Sequence, residues 1–111
     1  MLYIRGAITA DNTTDDIGGK AVELVTQILA VNNLAVSSVS AMLFTMTKDL
    51  TAANPCTAVR KTLAADSVAF MCMQEADVDG AMPSCIRVLV IAEGDGKPRF
   101  VYSGGAQNLR K

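Results

Sequence analysis

Three arginines stand in unusual surroundings. Arg5 lies between Ile4 and Gly6 in the apolar stretch LYIRGAI, Arg87 lies inside CIRVLV, and Arg60 lies in TAVRK. A guanidinium on a mostly apolar strand must find an anion or project into a wet cavity, because burying it unpaired is expensive. Glu75 is the obvious internal partner. If Arg5 and Arg87 point into one cleft, their combined charge exceeds what one glutamate neutralises. A small polyanion, above all a dicarboxylate, is then the natural ligand, since the arginine fork matches carboxylates bidentately. The plainer alternative is a structural Arg87–Glu75 ion pair, with Arg5 snorkelling at a sheet edge. The arginines alone specify no reaction.

Other groups add little chemistry. Cys72, three residues before Glu75, is either a weak hydrogen-bond partner in the cleft or a small buried hydrophobe. Cys56 and Cys85 read as structural. Tyr102 offers a cleft hydroxyl or a half-buried strand tyrosine. Met42, Met46, Met71, Met73 and Met82 are core or loop fillers. The chain has no His and no Trp. A Ser-His-Asp triad, a Cys-His pair and a His-ligated metal site within the chain are therefore excluded. Gly94-Asp95-Gly96 marks a turn and lacks the lysine pattern and following helix of a phosphate loop.

With 111 residues the chain is one domain, 50% hydrophobic and 19% charged, which is too apolar for a disordered polymer. Its net charge of -1 steers it toward neither nucleic acid nor an anionic membrane. Three cysteines without CxxC spacing point to a reducing compartment, hence the cytoplasm. The N-terminus lacks a signal-peptide layout, and no apolar run is long enough to span a bilayer.

The elements that must position these groups follow from periodicity. Residues 2–8 read as a strand with Leu2, Ile4 and Ile8 on one face and Tyr3, Arg5 and Ala7 on the other. Thr13 and Asp16 resemble a capping pair before a helix over 14–31, whose buried stripe is Ile17, Ala21, Leu24, Val25, Ile28 and Leu29. Gly18 and Gly19 weaken that helix by about 1 kcal/mol each relative to Ala, unless they permit close packing. Asn32-Asn33 stops it. Residues 38–46 form a second strand. Asn54 caps a second helix with Pro55 at its first position, running to about Ala64 with Val59 and Leu63 inward. Residues 68–74 and 85–92 are strands, with a loop over 77–83 between them. The turn at 93–96 joins a last strand, 99–103, as a hairpin. Residues 104–111 read as a mobile tail.

This order predicts an α+β fold: a single domain over 1–111 with a mixed five-stranded sheet and two main helices on one face. So few helices leave a sheet face and edges uncovered, which predicts a homo-oligomer.

Read together, IRGAIT at 4–9, NPCTAVRK at 54–61, CMQEADV at 72–78, CIRVLV at 85–90 and VY at 101–102 resemble, in this order, the monofunctional chorismate mutases of the AroH class. The resemblance covers nearly the whole chain. It implies a trimer assembled as a pseudo-α/β barrel, with active sites between neighbouring subunits. It implies rearrangement of chorismate to prephenate, the branch step toward phenylalanine and tyrosine, with no cofactor and no metal. Carried over by position, Arg5 binds a substrate carboxylate and Arg87 faces the ether oxygen. Glu75 accepts a hydrogen bond from the ring hydroxyl, with Cys72 near that hydroxyl. Tyr102 helps position substrate, and Arg60 lies at the mouth of the site by the other carboxylate. The chain departs from the family pattern at Asn54, Thr57 and Met71, in the short turn at 94–96 and in its early C-terminus. Two other classes compete on sequence alone: a RidA-like trimeric imine deaminase and a non-catalytic carboxylate-binding module.

Overall fold

A computed structural model describes residues 1–109; Arg110 and Lys111, the end of the expected tail, lie outside the described residues. The elements run β1 (Leu2–Thr9), α1 (Thr14–Val31), β2 (Val39–Met46), α2 (Pro55–Thr62), β3 (Ala69–Gln74), β4 (Cys85–Ala92) and β5 (Val101–Ser103). Short 3-10 turns occupy Val36–Ser38 and Gly104–Asn108. The five strands form one sheet in the order β3-β2-β4-β1-β5. β4 is antiparallel to both β1 and β2, whereas β3 runs parallel to β2 and β5 parallel to β1, so the sheet is mixed as expected.

The helices begin where the capping signals put them. Thr13 Oγ1 accepts from the Asp16 N–H at 3.1 Å, and Asp16 Oδ2 accepts from the Asp11 N–H at 2.6 Å. Asp15 and Asp16 also place negative charge at the positive end of α1. Asn54 Oδ1 accepts from the Cys56 N–H at 2.9 Å, with Pro55 beginning α2. α2 ends at Thr62 and not at Ala64, because Ala64 adopts a left-handed φ of 51° that breaks the helical hydrogen-bond pattern.

The predicted stripe of α1 is buried in full, packing with Val59 of α2 over Ile4, Ile8, Phe44, Ile86 and Val90. Each such side chain contributes on the order of 1.5–3 kcal/mol of burial. Gly18 explains the close approach of the helices: a Cβ there would lie 3.0 Å from the Ala58 Cβ. Gly19 faces open space, so the packing argument holds for only one of the pair.

The last strand is the clearest departure. β5 does not form a hairpin with β4. Both edges of β4 are already occupied, by β2 and β1, so β5 crosses over to the free edge of β1. Asn32, just after α1, anchors that crossover: its Nδ2 donates to Arg99 O at 3.0 Å and its Oδ1 accepts from the Arg99 N–H at 2.8 Å. The strand itself is shorter than expected, starting at Val101.

Both helices cover one face of the sheet. The opposite face is open, and it leaves Tyr3 and Met71 each 56% exposed and Met73 41% exposed. Only a small cluster of Ala7, Cys85 and Ala106, with Met82, Tyr102 and Leu109 against it, covers one end of that face.

Candidate active site

The site lies on the open face, and strand register builds it. Met73 of β3, Thr45 of β2, Arg87 of β4, Ala7 of β1 and Tyr102 of β5 are successive register partners in one row across the sheet. Side chains alternate between faces along a strand, so all of these share a face. The neighbouring row contributes Leu43, Leu89 and Arg5. Ala7 is the smallest side chain between Arg87 and Tyr102, and it leaves room there. The result is an open cavity of about 550 Å³ lined by these residues together with Glu75 and Leu109.

Arg5, Glu75, Arg87 and Tyr102 therefore line one cavity, which meets the condition the charge argument set for Arg5 and Arg87. The plainer ion-pair reading is also correct in part. Arg87 Nε stands 2.8 Å from Glu75 Oε2, yet its N–H does not point along that line, so the contact is an ion pair without an aligned hydrogen bond. The side chains are 41% and 21% exposed, so water screens the pair only partly. Glu75 Oε1 accepts a hydrogen bond of 2.5 Å from the Thr45 hydroxyl, and the Glu75 N–H donates to Met46 O at 2.8 Å. Arg5 is exposed and lies over the Phe100 ring, 5.5 Å from its centroid. Two guanidiniums thus face one carboxylate, which leaves the cavity with excess positive charge.

Two predicted residues lie elsewhere in the subunit. Cys72 points to the helix-covered face, one strand position out of phase with Met71 and Met73, and packs against the main core. It lines a separate cavity of about 340 Å³ with Asn54, Thr51 and Gln74. Burial raises both its thiol and that of Cys56, Cys56 to about 11. Of the two readings of Cys72, the subunit shows the small packed hydrophobe and not the cleft partner, because residues three apart on an extended chain face opposite sides. Arg60, on the far side of α2, forms a 3.4 Å ion pair with Asp66 and does not line the central cavity.

Sequence reasoning missed Thr45 and Asp49, and it marked Leu109 only as a tail residue that could fold over something. Thr45 carried a findable signal, since alternation along the second strand puts it on the face opposite Met42 and Phe44. Leu109 reaches the cavity because the Gly104–Asn108 turn packs onto Thr9, whose Oγ1 accepts from the Gly105 N–H at 2.9 Å. Gly104 has a φ of 57° and meets Thr9 closely, so glycine suits that turn. Asp49 ties the 77–84 loop to the end of β2, accepting 2.9 Å hydrogen bonds from the Ser84 N–H and hydroxyl. Among the described residues, no group of three or more His, Cys, Asp or Glu is placed to hold a metal. No helix among them is long and apolar enough to cross a membrane.

Comparison with known proteins identifies the family. The family model described as chorismate mutase type I matches residues 1–111. The chain is 38% identical over 93 residues to the chorismate mutase AroH of Bacillus subtilis, covering 83% of this chain and 73% of that protein. It is 35% identical over 112 aligned positions to the AroH protein of Thermus thermophilus, covering 96% and 91%. A solved chorismate mutase from Clostridium thermocellum superposes with a TM-score of 0.92 at 37% identity, covering 96% of this chain and 98% of that one. The imine-deaminase and binding-module alternatives find no support among these relatives. A whole-chain family match, two relatives above the identity at which homology is secure and a superposable fold together place this chain in the type I chorismate mutase family.

Proposed function

We propose that the cavity on the open sheet face is where this isomerase rearranges chorismate to prephenate, with Arg87 and Glu75 as its catalytic residues. The observation that carries this reading is the convergence of Arg5, Arg87, Glu75 and Tyr102 on one cavity with net positive charge. Chorismate is a dicarboxylate carrying a ring hydroxyl and an allyl ether. Its conversion is a pericyclic [3,3] shift: the ether C–O bond breaks as a new C–C bond forms, and no nucleophile, acid or base takes part. A chain without histidine can therefore perform it.

Two tasks remain for the protein. The flexible dianion must be held in its compact form, which is a positioning task. Arg5 suits one carboxylate, steadied by the Phe100 ring beneath it. Tyr102 supplies a hydroxyl at the other end of the residue row. The second task is electrostatic. As the C–O bond breaks, negative charge grows on the ether oxygen while the ring becomes partly positive. Arg87, fixed on the central strand and carrying more donors than Glu75 accepts, favours that transition state over the ground state. Glu75 offers the opposite sign on the ring side and accepts from the ring hydroxyl.

The cavity is open in one subunit, and Arg60 and Cys72 lie outside it. We propose a homotrimer in which the edge of a neighbouring subunit, carrying Arg60 and Cys72, closes the mouth of each site. The open face with exposed Tyr3, Met71 and Met73, and the unpaired outer edge of β3, support this assembly. A cytoplasmic location and a place in aromatic amino acid biosynthesis follow from the same reading. The test is direct: purified protein is mixed with chorismate without added metal or cofactor, and chorismate loss and prephenate formation are followed. Rapid conversion is expected. A well-folded protein that leaves chorismate at its uncatalysed rate overturns the proposal.

A further inference from the structure

We propose that Thr45 is a positioning residue for Glu75, holding its carboxylate in the orientation the rearrangement needs. The inference rests on the reading of Glu75 as a site residue. Glu75 follows the last residue of an edge strand, and its backbone is held by one hydrogen bond, from its N–H to Met46 O at 2.8 Å. A glutamate side chain there has three rotatable bonds and loses rotamer freedom when its carboxylate is held in one orientation. Its contact with Arg87 is close, at 2.8 Å, but lacks hydrogen-bond alignment, so it fixes distance better than direction. The aligned contact is the 2.5 Å hydrogen bond that the Thr45 hydroxyl donates to Oε1.

Thr45 is well placed to act as a fixed reference. It stands on β2, an interior strand, directly across from Arg87 on one side and Met73 on the other. Its branched Cβ restricts χ1, so the hydroxyl position is set by the sheet itself. By occupying Oε1, it leaves Oε2 facing Arg87 and the cavity. Thr45 thereby sets the carboxylate plane, while Arg87 and substrate share the remaining oxygen. Thr45 itself need not touch substrate, because its effect passes through Glu75.

The test is a set of variants assayed on chorismate: Thr45→Val, Thr45→Ser, Glu75→Ala and Thr45→Val combined with Glu75→Ala. Thr45→Val is expected to lower kcat about tenfold, as loss of one hydrogen bond to a charged group would. KM should move by less than about threefold, since the arginine–carboxylate contacts that dominate affinity are untouched. Thr45→Ser, which keeps the hydroxyl, should restore kcat to within about threefold of the parent. In the Glu75→Ala background, Thr45→Val should have almost no further effect on kcat. A purely structural role for Thr45 predicts instead the same loss in both backgrounds and no rescue by serine, which overturns the proposal. If Glu75→Ala is impaired while Thr45→Val matches the parent, positioning by Thr45 is refuted and the Glu75 reading stands. If Glu75→Ala turns over normally, the Glu75 reading fails, and the proposal fails with it.

Discussion

Arg87 is useful because the sheet, not a loop, decides where it points. Its neighbours in the row, Thr45 and Ala7, belong to the flanking strands, so the backbone from which the guanidinium projects is held on both sides. Its partner Glu75 keeps it from being an uncompensated charge on a half-buried surface. At this scale the cysteines behave oppositely. Burial raises the Cys56 thiol to about 11, so at neutral pH it is a protonated, inert hydrophobe. Its folded value lies above its unfolded one, so the stability it contributes is complete below about pH 9 and is lost as pH rises toward 11. Thermal unfolding followed from pH 8 to 11 should show a fall that is smaller in Cys56→Ala than in the parent. Asp49 has the reverse sign. Its hydrogen bonds, first to Thr47 and then to Ser84, hold its carboxyl below the usual range. The stability it gives is present above about pH 4 and is lost as pH falls further. Acid unfolding of Asp49→Asn should therefore converge on that of the parent at low pH, and the two should differ at neutrality.

Among elements, α2 depends most on a single side chain. It has eight residues, too few to persist on intrinsic propensity, and its first free N–H groups are served by Asn54. Asn54→Ala should cost about 1 kcal/mol and lower the melting temperature by about 4 °C in a domain of this size. A melting temperature unchanged within a degree would contradict the cap assignment. The same residue illustrates what was legible in the sequence. Asn54-Pro55, Thr13 with Asp16, and the α1 stripe are local signals, read by spacing alone, and each is realised. The alternation of β1 and the apolar run of β4 likewise placed Arg5 and Arg87 on strands. What spacing could not reveal was pairing. The hairpin expected between β4 and the last strand required β4 to have a free edge, and only the completed sheet shows that it has none. For Thr45, alternation gives the face, but its register with Arg87 is a long-range fact that no window of residues contains. Cys72 shows the small-hydrophobe side of its two sequence readings within the subunit, packed on the helix-covered face.

At the scale of the whole molecule, the helices protect one face and leave bare the face that carries the proposed site. Met71 and Tyr3 are more than half exposed there, which is poor design for a monomer but suitable for a surface that another copy covers. Met71→Asp should therefore shift the assembled protein toward monomers in sedimentation and reduce turnover with it. A charged Met71 variant that remains assembled and active would contradict the proposed closure of the site by a neighbour. The central claim is that a fixed arginine on the middle strand stabilises the breaking ether bond of chorismate. Replacing it tests that claim most directly, in protein shown by sedimentation to keep its assembly. For Arg87→Ala, kcat for the conversion of chorismate to prephenate should fall by at least about a hundredfold, as expected for loss of a preorganised oxyanion donor. Turnover within a few-fold of the parent would contradict the account.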